Sequence, residues 1–366
     1  MKQRILFIAP LPPPVHGSAV VSRQIKDSVV INDAFICDWV NLSASRRTEE
    51  LWKNKPVKLL RISAAFTKTL VLLLRHRYDL CYLAITCHGR PFLKDAPFVL
   101  LCKLFGRRIV IHQHNKGMDN DVSRWPFSFM LPLVYKNVSV ILLSKRLYHD
   151  IGKVVPETNV LVCPNGIQVD NRFRAVAGQP STPRLLFLSN LMESKGVWVL
   201  LEALQKLNER GYDFCCTFAG GQTREISFER FASEVKSHNL EKQVVCRGAL
   251  FDEEKEQCFR DADLFVFPSY NECFPLVILE AMSYGLPVVT TDEGGIPDIV
   301  EDGVTGIVIE KNNPQSLADE IARLLDDETL RHDLGAAGRL RLESGFTQEV
   351  FEHNMLSCLQ ACIEKR

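Results

Sequence analysis

The stretch ADLFVFPSYNECFPLVILEAMSYGLPVVTTDEGG, residues 262–295, reads as strand, loop, helix, turn and strand in succession. LFVF is a short apolar run that stops at Pro268-Ser269, and SYNEC follows it with loop-forming residues. Pro275 suits the first position of a helix, PLVILEAMSY supplies the helical run, and Gly285 fits the position just past its end. LPVVTT is then a second buried strand. Two all-apolar strands joined through a helix belong to a parallel sheet covered on both faces. Two carboxylates, Glu272 and Glu280, stand in this otherwise apolar segment, and a buried carboxylate needs partners.

The same alternation extends outward in both directions. RILFIA, YDLCYLAI, RRIVIHQH, VSVILLS and NVLVCP form one series of strands, and RLLFLSN, DFCCTFAG, QVVCRGA, ADLFVFPS, LPVVTT and TGIVIE a second, with helical segments between. The repetition predicts an α/β protein of two doubly wound, Rossmann-like domains facing a central cleft. We expect an N-terminal domain over 1–165, a linker over 166–183 rich in Gly, Pro and Ser, and a C-terminal domain over 184–345. The segment 346–366 is expected to form a helix docking back toward the N-terminal domain. In such sheets ligands bind beyond the carboxyl ends of the strands, so strand ends are where site residues are sought.

Composition is globular, 46% hydrophobic and 24% charged, which excludes disordered and fibrous classes. Net charge is zero, yet residues 1–180 hold 26 Lys and Arg against 12 Asp and Glu, and residues 181–366 hold 18 against 32. The basic first half favours anionic partners such as membrane, nucleic acid or phosphorylated ligands; the alternative is two solvated faces of opposite sign. Twelve cysteines lack any regular spacing, and several, Cys102 and Cys246 among them, sit in apolar runs, so buried reduced thiols and a cytoplasmic setting are expected. ILFIA is too short for a signal-peptide core, and no run approaches the ~18 apolar residues of a membrane span.

Four groups of residues are candidates for chemistry. Gly17-Ser18 follows the first strand, where exposed amides at a helix start can receive an anion and Ser can cap; an ordinary capped turn explains it equally. His112 and His114 lie two apart on one face of a strand end, and with no third ligand nearby a metal site is not expected. One of the pair suits a core histidine, and His114, next to the loop, suits a donor to substrate. Lys195, beside Gly196 in LSNLMESKG, can neutralise phosphate or be a solvated lysine. Glu272 lies just ahead of a helix N-terminus and Glu280 about a turn and a half inside it, with free amides near Leu276 and Val277.

At these residues the chain resembles the retaining glycosyltransferase family 4 of the GT-B fold, the glycosyl transferases group 1. The resemblance covers nearly the whole chain: Gly17 after the first strand, the His112/His114 strand end, PNGI at 164–167, the SKG lysine, and E-x7-E at Glu272 and Glu280 followed by GLPVVTTDEGGIPDIV. It implies that Glu280 binds the nucleotide ribose and Glu272 the transferred sugar, with the backbone of Phe274, Pro275, Leu276 and Val277 at the sugar and phosphates. Lys195 would stabilise the leaving diphosphate, and His114 would contact the sugar or its phosphate. Family members commonly carry arginine five residues before that lysine; Asn190 here offers a hydrogen bond but no charge.

The implied reaction is sugar transfer from a nucleoside diphosphate sugar to a hydroxyl of a glycan or lipid-linked glycan in surface polysaccharide assembly. Anomeric configuration is retained, and neither metal nor cofactor is called for. Nucleic acid is not an expected partner. Residues 51–77 mix Trp52 and a leucine-rich stripe with Lys53, Lys55, Lys58, Arg61, Lys68, Arg75 and Arg77, a pattern suited either to an anionic membrane face or to a core helix with solvated lysines. A non-catalytic nucleotide-sugar-binding protein and a GT-B sugar-nucleotide epimerase are the alternative readings.

Overall fold

The structure, a computed structural model, describes residues 2–43, 55–169 and 182–365. The chain forms two compact units, Met1–Asn165 with Gln348–Arg366, and Gly166–Thr347. Of the stretch expected to be a linker, Gly166–Val169 are described and fall in the second unit, while residues 170–181 lie outside the described residues.

In the first unit six parallel strands run β1 (Arg4–Ala9), β2 (Ile36–Asn41), β3 (Leu80–Leu83), β4 (Ile109–Gln113), β5 (Ser139–Leu142) and β6 (Val160–Val162). Their spatial order is β2-β1-β3-β4-β5-β6. The order reverses at β1, so the crevice for a ligand opens between the carboxyl ends of β1 and β3. β1 and β3 are almost wholly buried, which is why RILFIA and LCYL read as continuous apolar runs. β2 is an edge strand with the exposure pattern of a half-solvated element, and its sequence, ICDWVN, carries no such run.

The helix Gln348–Glu364 belongs to this first unit and buries Phe351, Met355, Leu359 and Ile363. Its buried Glu352 is satisfied by Ser28 Oγ, which donates to Oε2 at 2.8 Å, and by Gln348 Nε2 at 2.7 Å. Two satisfied oxygens remove most of the cost of burying that carboxylate.

The second unit contains β7 (Arg184–Leu188), β8 (Cys215–Ala219), β9 (Val244–Gly248), β10 (Leu264–Phe267), β11 (Val288–Thr291) and β12 (Ile307–Ile309). They are ordered β12-β11-β10-β7-β8-β9, all parallel. Here the reversal falls between β7 and β10. β10 and β11 are fully buried, as their sequences require. The helix Val197–Glu209 buries Val197, Leu200, Leu201, Leu204 and Leu207, the i, i+3, i+4, i+7 stripe of a helix lying on a sheet. The unit's ends are tied together, Ile167 donating its N–H to Phe346 O at 3.0 Å and bridging to Thr347.

Two expectations are corrected. Cys246 is exposed, because β9 is an edge strand whose central residues face solvent, whereas Cys102 is buried. Pro275 is the cap of the helix Leu276–Ser283 rather than its first residue; Gly285, at φ +66°, follows the cap at the other end.

Candidate functional site

In the second unit the candidate residues gather at the carboxyl ends of three adjacent strands, β7, β10 and β11. After β7 the chain passes Asn190 and a single turn, Glu193–Lys195, before Gly196. Gly196 has φ +78°, and a Cβ there would lie 2.2 Å from Pro268 O, so only glycine lets this turn press onto the end of β10. The result is that Lys195 Nζ lies 2.5 Å from Glu272 Oε1 and 3.3 Å from the Asn271 carbonyl. Both side chains are largely shielded, at 21% and 13% exposure. Ser269 Oγ, 3.4 Å from the same carboxylate oxygen, also donates to Ser194 O.

Glu272 is pinned from the other side by the turn after β11. Gly294, at φ +55°, packs where a Cβ would sit 2.2 Å from Glu272 O, and Gly295 N–H donates to Cys273 O at 2.7 Å. The adjacent Glu293 is buried, with Oε1 3.5 Å from the Glu272 amide and Oε2 2.8 Å from Lys311 Nζ. Glu280, five residues into its helix, meets Lys255 Nζ at 2.7 Å. That ion pair is what allows a carboxylate among VILEAM. At the start of the helix Pro275 offers no side-chain cap, and the amides of Leu276 and Val277 make no hydrogen bond among the described residues. Two unclaimed donors at the positive end of a helix dipole are suited to phosphate. Asn190 Oδ1 accepts the Gly221 N–H at 3.2 Å, so this side chain is already engaged in joining the β7 and β8 loops.

Sequence reasoning named Glu272, Glu280, Lys195, Asn190 and the residues from Phe274 to Val277; the fold brings Lys195 and Glu272 together just ahead of the helix start at Phe274–Val277, and it turns Asn190 to Gly221 and Glu280 to Lys255. Sequence reasoning missed Glu293, Lys311 and Lys255. Glu293 had a local signal, an acid ahead of paired glycines at a strand end; the two lysines had none.

The first unit carries the remaining candidates. The helix Gly17–Asp27 is capped by His16, whose Nδ1 accepts from Ala19 N–H at 3.3 Å and lies 3.0 Å from Ser18 Oγ. Ser18 is therefore not the cap; the imidazole one residue before the helix fills that role. The rings of His112 and His114 lie 4.0 Å apart, centroid to centroid, with their planes tilted by 48°. His112 is a core residue, its Nδ1 2.6 Å from the buried Tyr82 hydroxyl. Burial, reinforced by His16, pushes His114 down to about 3, so it is a neutral imidazole at neutral pH. Its Nε2 is buried without a hydrogen-bond partner among the described residues. Among the described residues no cluster of three His, Cys, Asp or Glu could hold a metal ion.

Residues 169–341 match the family model described as glycosyl transferases group 1. Among curated relatives, D-inositol 3-phosphate glycosyltransferase of Corynebacterium diphtheriae is 32% identical over 192 residues, 51% of this chain and 45% of that one. Amylovoran biosynthesis glycosyltransferase AmsK of Erwinia amylovora is 26% identical over 265 residues, 69% and 61% of the two chains. The chain thus spans about half the length of the curated relatives it matches. Among solved structures, Anabaena HepE in complex with UDP superposes with a TM-score of 0.75 at 18% identity, covering 98% of this chain and 100% of that one. Over residues 169–341 the chain is thus similar to the glycosyl transferases group 1, and it has the GT-B fold that it shares with HepE.

Proposed function

We propose that the chain is a retaining glycosyltransferase that moves a sugar from a nucleoside diphosphate sugar to a hydroxyl of a glycan or lipid-linked glycan acceptor. The observation that carries this reading is the Lys195–Glu272 pair at the β7/β10 reversal, beside the unclaimed amides of Leu276 and Val277. A cation and two amides suit a diphosphate, and carboxylates on the same rim suit sugar hydroxyls. HepE in its complex with UDP has the same fold, and AmsK is named for amylovoran biosynthesis.

In this reading Glu280 accepts from the ribose hydroxyls and Glu272 from the transferred sugar, while Lys195 and the amides of Phe274, Leu276 and Val277 meet the phosphates. Asn190 orders the loop beside them. In the first unit His114, held neutral, offers its ring to a sugar hydroxyl, and the first-turn amides at Gly17 and Ser18 offer N–H groups to an anion. The bond between the anomeric carbon and the diphosphate oxygen breaks as the acceptor oxygen bonds to that carbon on the same face. The acceptor proton passes to the departing phosphate oxygen. No side chain acts as a nucleophile; rate comes from positioning and from stabilising charge on the leaving group. Lysine and helix amides supply that stabilisation, so no metal is required.

The N-terminal unit also docks on an anionic membrane surface through the helix Lys55–Arg75, whose exposed side chains include Leu59, Leu60 and Leu74. Residues 51–54, with Trp52 and Lys53, lie outside the described residues. Among the described residues no helix is long and apolar enough to cross a membrane.

Proton NMR of the product formed in excess EDTA tests the reaction. The expected product keeps the donor's anomeric configuration at an undiminished rate; an inverted product, or activity lost to EDTA and restored by a divalent cation, would refute it.

A further inference from the structure

In the first unit the connections β2 to β3, β3 to β4 and β4 to β5 all run the same way along the sheet order. Parallel crossovers are right-handed, so the helices Lys55–Arg75, Gly89–Leu104 and Phe127–Tyr135 share one face of the sheet. Aromatic contacts hold them in one layer: Phe66 meets Phe98 at 5.4 Å between ring centroids, and Phe92 meets Phe127 at 6.0 Å. The outward side of that layer is apolar. On the middle helix Leu93, Pro97, Leu100 and Leu104 recur at helical spacing and none is buried; Leu104 is 81% exposed. Trp125, Phe129 and Leu133, each four residues after the last, form a second stripe, with Trp125 86% and Phe129 70% exposed. Lys103 sets the two stripes side by side, its Nζ donating to Leu133 O at 2.7 Å and to Lys136 O at 2.6 Å.

An exposed apolar face of this breadth marks a protein or a membrane contact. Charge decides between them. The three helices carry eight Lys and Arg and one acid, Asp95, which is buried. Around the second stripe, residues 122–149 contain Arg124, Lys136, Lys145 and Arg146 and no acid at all. Two copies of the chain meeting on this face would bring like charges together, which is unfavourable. An anionic lipid surface complements the basic residues, and a Trp beside Phe and Leu is the composition that settles at the headgroup level of a bilayer. No helix among the described residues is long and apolar enough to cross a membrane, so the contact lies in the plane of the interface.

We propose that Trp125 and Phe129, with Leu104 and Leu133 beside them, insert into the headgroup layer of an anionic phospholipid bilayer. This extends the lipid reading of the helix Lys55–Arg75 to a second element, and it does not depend on the transferase reaction. The two elements together lay the whole three-helix face on the membrane, with the sheet behind it, so the aromatic stripe supplies the apolar contact and the Lys55–Arg75 helix most of the charge.

The test mixes the full chain at low salt with phosphatidylcholine vesicles, with and without phosphatidylserine, and reads co-sedimentation together with tryptophan quenching by lipid brominated on its acyl chains. Binding is expected to require phosphatidylserine and to quench the emission. Trp125→Phe is expected to bind about as well as the wild type while losing a large share of that quenching. Leu104→Glu combined with Phe129→Glu is expected to bind about tenfold more weakly. All of these side chains are exposed, so melting temperatures should stay close to that of the wild type. Quenching that Trp125→Phe does not change, or binding that the double variant does not weaken, overturns the insertion; if Leu60→Glu with Leu74→Glu still weakens binding, the Lys55–Arg75 helix stands as the contact without it. The opposite pattern keeps the aromatic stripe and removes that helix. Equal binding to phosphatidylcholine alone contradicts the anionic assignment, and no binding to any vesicle removes both elements. A dimer in sedimentation velocity that the Leu104 and Phe129 changes dissolve would assign the face to a second copy and overturn the proposal as well.

Discussion

Three glutamates at the rim of the second sheet each have their own lysine: Glu272 with Lys195, Glu280 with Lys255, and Glu293 with Lys311. A part-buried carboxylate left without its cation is costly, so these pairs keep the rim stable; in the proposed function a donor's hydroxyls and phosphates would take over the same groups. Glu272, Glu280 and Lys195 were legible because each lies in a short strand–loop–helix stretch; Glu293 was not named. The pairing was not legible, since Lys195 and Glu272 are 77 residues apart and no local spacing rule spans that distance. The histidine pair has a consequence in acid. The folded state keeps His114 neutral down to about 3, while the unfolded chain takes up a proton near 6.5. Its contribution to stability is therefore complete above pH 6.5 and is lost as pH falls toward 3, at about 1.4 kcal/mol per pH unit for one proton. Urea titrations between pH 6.5 and 4 should show this slope reduced by about one proton's worth in His114→Gln; an unchanged slope would mean that His114 is not what the acid sensitivity reports.

At the scale of elements, legibility followed burial. β3, β10 and β11 are buried on both faces, so their apolar runs announce them. β2 and β9, at sheet edges, mix exposed and covered residues; the first was missed, and the second led to a wrong expectation for Cys246. The helix Lys55–Arg75 was recognised by its composition, and its exposure adds a direction. Leu59, Leu60 and Leu74 are 66%, 70% and 68% exposed, and Pro56, Leu60, Thr67, Val71 and Leu74 follow one face at helical spacing with no acid from 55 to 77. An apolar face flanked by Lys68 and Arg75 suits an anionic lipid surface, where each basic residue contributes about 1 kcal/mol. Co-sedimentation with phosphatidylserine vesicles at low salt is expected for the wild type, with about tenfold weaker binding for Leu60→Glu combined with Leu74→Glu. Binding that is absent from the wild type, or indifferent to both changes, would remove this surface from the account.

Over the whole molecule, each sheet reverses its strand order once, and the candidate residues of each unit collect at that reversal. Alternating strands and helices made the two-sheet α/β class readable from the sequence. The +14 of residues 1–180 against the −14 of residues 181–366 has a physical reading in the same terms: the basic half contains the helix assigned to lipid, and the acidic half contains the rim of paired glutamates. The reaction assigned to that rim is tested most directly by incubating the full chain with UDP-, GDP- and ADP-sugars and following nucleoside diphosphate release by phosphorus NMR, wild type against Glu272→Ala. Release from at least one nucleotide sugar is expected of the wild type, and about 10²-fold or more slower release of a variant that melts at a lower temperature but is still folded under the assay conditions. Equal release by both proteins, or accumulation of an isomeric sugar nucleotide in place of the diphosphate, would contradict it.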